Sequence, residues 1–425
     1  MKTMTKTTSL LIVTSLVLVA SSAAAQSAKP PPGTSCLDAG AGRGNVVYVT
    51  GSSALRPFLT ALAPVVAADN PSYTIVYQSQ GSCAGVAAVY EADLAKRIIK
   101  DVPAAGGKPA NYAVYFSGDG TAQECFLDTT GAGETGTSWP NVDLGISDVF
   151  SKSCGYDAAP AGTTIADYFG PIQPMTFVVP SASSQRSISA EAAYLAFGLG
   201  GGGGKAAPWI DPSLFFVRNA GSGTQQMIAR AIGVPADKWW GLDRGGSSQV
   251  RSSLKVVLDK DTAEKSIGIV AVDIADEERS NLRILAFKAK GQACGYLPDS
   301  TANTRDKLNV RDGHYPIWGP VHLFARTSGG IPSTAAGAFV GRFATARVDK
   351  TLLDTEITKG LVPQCAMRVT RKEEMGPLAS LQPQFQCGCY FDFKANGATS
   401  CKTCNGPAEC SGATPACNFG YCEAR

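Results

Sequence analysis

Three short stretches of this chain place glycine, serine and threonine where a strand gives way to a helix: Gly51-Ser52-Ser53, Gly81-Ser82-Cys83-Ala84-Gly85 and Gly221-Ser222-Gly223-Thr224. The first N–H groups of a helix have no partner inside it and lie at the positive end of its dipole, so each junction can hold an anion. Glycine lets the backbone approach closely, and the hydroxyls add donors. One such junction is an ordinary capped helix start; three in one chain, with Arg218 just ahead of the third, point to an oxyanion. Arg218 at a strand end can lay two N–H bonds on one oxyanion, met by Ser222, Gly223 and Thr224 from the helix start. The alternative is a surface arginine beside a plain cap. Asp148 either caps a helix or accepts the O–H of hydrogen phosphate. Sulfate carries no proton at neutral pH and would only be repelled.

The elements that position these residues alternate. Strands are expected at 46–50, 73–77, 141–147, 175–179, 214–217 and 267–272, with 314–326 extended. Helices are expected at 55–68, 86–100, 189–198, 222–232, 247–258 and 333–344. Alternation of this kind gives an α/β sheet with helices on its faces. The segment 101–140, rich in Gly, Thr and Pro, reads as an insertion with one strand at 112–116, fastened by Cys125 with Cys154. The glycine run 200–204 ends in Lys205 but lacks the first glycine and the final Ser or Thr of a nucleotide-binding P-loop.

Lys2 and Lys6 precede an apolar run over 10–20, and Ala23-Ala24-Ala25 precedes Gln26, the pattern of a secretory signal and its cleavage site. The expectation is a chain that starts near Gln26, is periplasmic or secreted (the cell surface included), and does not span the membrane once the signal is gone. The roughly 400 residues that follow exceed one ordinary core. They divide into a linker at 26–44, a first lobe from 45–175 and 311–365 carrying the insertion, a second lobe at 176–310, and a tail at 366–425. A net charge of +3 with scattered basic residues argues against a nucleic-acid partner.

Of 13 cysteines, Cys36, Cys83, Cys125, Cys154 and Cys294 are spread over the body, and the rest crowd the tail and its approach. In an exported chain they are disulfide-forming, with one left over. The tail has little apolar material and must be stapled to fold; a zinc reading would use Cys401-x-x-Cys404. Only His314 and His322 are present, neither in a triad or metal spacing. An enzyme would have to use Cys83 at its helix start as an activated thiol. A third alternative is a surface structural or interaction protein that keeps the fold without the ligand.

These segments resemble the phosphate-binding proteins of phosphate ABC transporters, a branch of the type II periplasmic solute-binding family. The resemblance rests on Gly51–Ser53, on Tyr77-Gln78-Ser79-Gln80-Gly81-Ser82-Cys83-Ala84-Gly85-Val86, on Asp143-Leu144-Gly145-Ile146-Ser147-Asp148 and on Arg218–Thr224, in family order. Ser266-Ile267-Gly268-Ile269-Val270 and Tyr315-Pro316-Ile317 echo later motifs. The resemblance implies a two-lobed fold with a hinge, closing on phosphate or a related oxyanion, with no catalysis, cofactor or metal, and an ABC permease as partner. It implies Ser53, the N–H of Ala54, Ser82, Asp148, Arg218, Ser222, Gly223 and Thr224 as ligand residues. Cys83 and Ala220 depart from the pattern; the family often has an aspartate at the latter position to orient the arginine.

Overall fold

The computed structural model describes Cys36 and residues 45–70, 72–99, 112–116, 120–125, 141–327, 334–397 and 399–424. The signal, nearly all of the linker and most of the insertion lie outside these residues.

Strand β1 (Asn45–Gly51) is a β-branched run, and α1 (Arg56–Ala67) buries Phe58, Leu59, Leu62, Ala63 and Val66 on one face. Strand β2 (Tyr73–Ser79) leads to α2 (Ser82–Tyr90). This helix is shorter than the 86–100 expected. Glu91 turns extended, and Asp93 takes the N–H of Ala95 with its side chain to start a separate 3-10 turn. Strands β3 (Ala113–Phe116) and β4 (Ala122–Cys125) form a hairpin on the edge of β2. Strand β5 (Leu144–Ser147) follows, then β6 (Thr164–Pro180), whose first eleven residues were not expected to be a strand. Next come β7 (Ser187–Ser189), β8 (Phe215–Val217), α3 (Gly223–Ile232), β9 (Leu242–Asp243), α4 (Ser247–Lys255), β10 (Ile267–Ala271), β11 (Leu282–Ile284), β12 (Ala286–Lys288) and β13 (Trp318–Thr327).

The principal sheet runs β4-β3-β2-β1-β5-β13-β6-β10-β8-β9, with β11 also on β6. Two parallel blocks, β2-β1-β5 and β10-β8-β9, are joined through the long antiparallel strands β6 and β13. Residues of β6 up to Pro174 pair with β13; those from Met175 pair with β10 and β11. Each block has its own core. One holds Val47, Leu59, Ile75, Ile146 and Leu323; the other holds Phe177, Phe197, Phe215, Ile228 and Ile269. This is a two-lobed α/β architecture, with β6 crossing between the lobes, and it carries a Cys-rich C-terminal module.

That module is not a separate body. Its helix α5 (Gly388–Asn396) and the hairpin after it place Cys387, Tyr390, Phe391 and Tyr421 in the same core as the second lobe. Arg311, buried, donates to Ala366 O at 2.9 Å and to Asp392 at 2.5 Å. Disulfides join Cys365–Cys387, Cys389–Cys401, Cys404–Cys417 and Cys410–Cys422. Cys401 and Cys404 therefore each have a sulfur partner, which removes the zinc reading. The expected Cys125–Cys154 bridge is also corrected. Cys125 joins Cys36, and Cys154 joins Cys83, whose Cα lies 5.1 Å away at the first turn of α2. Cys294 is left free and exposed. No helix among the described residues is long and apolar enough to cross a membrane.

Candidate functional site

The Gly/Ser junctions sit beyond the carboxyl ends of parallel strands, where open α/β sheets place ligands. Gly51 ends β1 at φ +140°, and a Cβ there would lie 1.9 Å from Ile146 O, so only glycine lets the chain turn over β5. The turn presents Ser52, whose hydroxyl donates to Asp148 Oδ2 at 2.6 Å and accepts the N–H of Ala54 at 3.2 Å. Ser82, at the start of α2, donates to the same carboxylate oxygen at 3.0 Å, and its hydroxyl oxygen accepts the Asp148 N–H at 3.2 Å. Asp148 is 1% exposed, and its Oδ1 has no hydrogen-bond partner among the described residues. Burial raises its pKa; the hydroxyls of Ser52 and Ser82 and the charges of Arg218 and His322 pull it back part of the way.

Arg218, at the end of β8, is 2% exposed. Its Nε donates to Gly245 O at 2.7 Å, Nη1 to Ser247 Oγ at 2.6 Å and Thr224 Oγ1 at 3.4 Å, and Nη2 to Ser53 Oγ at 2.8 Å. Every one of these acceptors is neutral. Burial brings the guanidinium down to about 10, offset by the charges of Asp148 and Asp243. Gln225 accepts the backbone N–H of Arg218 at 2.9 Å, fixing the strand end to α3. The hydroxyl of Ser222 is buried without a hydrogen-bond partner among the described residues.

The two lobes meet here. Besides Arg218–Ser53, the N–H of Cys83 donates to Gly221 O at 2.9 Å. The Cα of Gly223 faces the first lobe so closely that a Cβ would come 2.3 Å from Ser82 Oγ and 2.7 Å from Asp148 Oδ2. Arg230 donates to Ser153 Oγ at 2.9 Å. The structure thus places Ser53, Ser82, Asp148, Arg218, Ser222, Gly223 and Thr224 at one junction, while the N–H of Ala54 is turned to Ser52. The corners are in direct contact.

No family model matches the chain, and no curated protein matches it in sequence. Solved structures of low sequence identity align with about three quarters of the chain. A phosphate ABC transporter substrate-binding protein from Clostridium perfringens, with bound phosphate, is 13% identical, covers 75% of this chain and 99% of its own, and has a TM-score of 0.48. An ABC-type phosphate transport receptor from Vibrio cholerae is 13% identical, with coverages of 74% and 99% and a TM-score of 0.44. A human phosphate-binding apolipoprotein is 15% identical, with coverages of 75% and 90% and a TM-score of 0.45.

Sequence reading passed over Ser52, Gln225, Gly245 and Ser247. The signal for the last two was present: Gly245-Gly246-Ser247-Ser248, between β9 and α4, is another glycine-serine junction leading into a helix. Cys83, weighed as a nucleophile, has no thiol because it is in a disulfide. His322 is fully buried, with Nδ1 against Asp167 at about 2.9 Å and its ring against Phe150 and Phe324. The sulfurs of Cys404, Cys410 and Cys422 cluster within 4.8 Å, but all three are disulfide-bonded and offer a metal no thiolate.

Proposed function

We propose that this chain is an exported solute-binding protein that holds phosphate, or a closely related oxyanion, between its lobes and delivers it to an ABC-type permease. One observation carries the reading: Asp148 and Arg218, both buried, approach the same junction from opposite lobes, with Asp148 Oδ1 and Ser222 Oγ beside them making no hydrogen bond among the described residues. A guanidinium held by neutral oxygens has net charge to offer an anion. A carboxylate oxygen without a donor suits a ligand that brings its own proton, which hydrogen phosphate does and sulfate does not. The ligand residues of this reading are Ser53, Ser82, Asp148, Arg218, Ser222, Gly223 and Thr224, with the Ala54 N–H available if Ser52 rotates away. Closure turns on β6 and on the segment entering β13. Export is supported by the Lys-apolar-Ala leader and by the six disulfides, which need an oxidising compartment.

The direct contact between corners favours one second reading, a surface structural or interaction protein built on the same fold. Calorimetry of the oxidised chain with phosphate, arsenate, sulfate and molybdate separates the two. Phosphate binding that is lost on Arg218→Gln supports the receptor; silence with every oxyanion selects the structural protein.

A further inference from the structure

A cavity of about 230 Å³ opens at the seam between the lobes, separated from Arg218 by two serines that accept from it. Its walls include Ser53 and Arg56 from the start of α1, Ser247 and Arg251 from α4, Glu277 from the short helix Val272–Glu277, and Lys359 from the chain returning after β13. Ser53 and Ser247 are two of the three hydroxyls that accept from the Arg218 Nη atoms, at 2.8 and 2.6 Å. A serine that accepts from a guanidinium keeps its own O–H to give, so the wall nearest Arg218 presents donors into the cavity. Its lining holds three cations and the carboxylate of Glu277, with Glu278 behind Arg251. Arg251 is only loosely held, its Nη1 3.8 Å from Glu277 and its Nε 3.6 Å from Glu278, both beyond hydrogen-bond distance.

A seat for inorganic phosphate alone has no use for a second electropositive chamber of this size. Resting on the oxyanion reading above, we propose that the ligand is an organic phosphate bearing a further anionic group. Its phosphoryl end is held at Arg218, and a carboxylate at its other end lies among Arg56, Arg251 and Lys359. The cavity has room for a substituent of a few carbon atoms. Ser53 and Ser247 bridge the two subsites, so one ligand would engage both lobes at two points.

The test is titration calorimetry of the oxidised chain with inorganic phosphate, glycerol 3-phosphate and 3-phosphoglycerate, the last two differing chiefly by one carboxylate. The expected result is a preference of about tenfold or more for the carboxylate-bearing ester over glycerol 3-phosphate. That ratio should fall toward unity in Arg251→Gln with Lys359→Gln, and rise in Glu277→Gln, which removes the opposing charge. Phosphate binding without any preference between the esters overturns the inference and leaves the oxyanion reading standing. So does a preference that ignores all three substitutions. Failure to bind any of the three ligands overturns both.

Discussion

Arg218 of the second lobe donates from Nη2 to Ser53 of the first at 2.8 Å, while its Nε and Nη1 are held by Gly245 O and Ser247 Oγ of its own lobe. Neutral oxygens therefore do the orienting for which the phosphate binders often use an aspartate at the position of Ala220 here. The guanidinium makes no hydrogen bond to a carboxylate among the described residues, and the charges of Asp148 and Asp243 reach it only at longer range. Its bond to Ser53 is one of the hydrogen bonds that cross between the lobes, with Cys83 N–H to Gly221 O and Arg230 to Ser153.

Replacing Arg218 with Gln is expected to lower phosphate affinity about a hundredfold, since charge-assisted contacts to an anion contribute about 2–3 kcal/mol. Arg218→Lys restores the charge but cannot reach Ser53, Ser247 and Gly245 together, so it should recover only part of that loss. Arg218→Gln should not lower the melting midpoint by much, because it removes a buried charge held only by neutral oxygens; Arg218→Lys keeps a buried cation with fewer hydrogen bonds and should melt lower. Calorimetry and thermal melts of the same preparations check both halves. A Lys variant that binds as well as wild type would show that the fork geometry is irrelevant.

Asp148 gives a prediction with a pH sign. Burial raises its folded pKa above the ordinary value. The folded state then binds the proton more tightly than the unfolded chain does. The stability this contributes is present below about pH 4, the unfolded value, and is lost as pH rises through the raised pKa. Asp148→Asn should therefore melt higher than wild type at pH 8, with the gap closing toward pH 3. The same substitution should let sulfate bind within a few-fold of phosphate, because the repelling carboxylate is gone. An Asn variant that still rejects sulfate would take the selectivity away from this residue.

Much of the fold was legible from alternation, because β1, β2, β8 and β10 are short apolar runs bounded by glycine, serine or proline. The approach from Thr164 to Pro174 was not. It alternates Asp167, Gln173 and Pro residues with apolar ones, and it becomes strand only because β13 pairs with it from Thr327 back to Trp318. Pairing between residues about 150 apart leaves no local signature. The candidate site was legible where glycine and hydroxyl residues mark a helix start. Ser52 and Ser247 escaped because their roles lie in what they touch across the site, Asp148 and Arg218, and not in their spacing. The tail reads from its sequence as a segment that must be stapled to fold, because its apolar residues are few. Those few, Tyr390, Phe391 and Tyr421, are spent on the core of the second lobe.

Between body and tail, Glu374 accepts the N–H of Phe150 at 2.6 Å and the hydroxyl of Ser153, while Arg371 lies 3.8 Å over the ring of Trp318. This strap grips the loop that carries Cys154. Glu374→Ala leaves those donors unsatisfied and is expected to cost about 1–3 kcal/mol, with Glu374→Gln milder. Denaturant titration at fixed oxidation state measures it. A change below about 0.5 kcal/mol, ordinary for a surface position, would mean the tail merely rests on the body.

Gly223 offers the sharpest test of closure. It is the first residue of α3 and its φ is not in the left-handed region, so its own backbone tolerates alanine. The obstacle is entirely on the other lobe, where a Cβ would lie 2.3 Å from Ser82 Oγ and 2.7 Å from Asp148 Oδ2. Those atoms belong to short side chains locked to each other, so they cannot swing away without breaking the Ser82–Asp148 bond. Gly223→Ala should therefore fold normally and hold its lobes apart, raising the radius of gyration in small-angle scattering and weakening phosphate by about tenfold or more. Gly233, left-handed at the far end of the same helix with nothing within 4 Å of its Cβ position, supplies the control. Alanine there should strain the cap by about 1 kcal/mol without opening the lobes. If Gly223→Ala scatters and binds as wild type does, the contact between Ser82, Asp148 and Gly223 is not what sets the closed geometry.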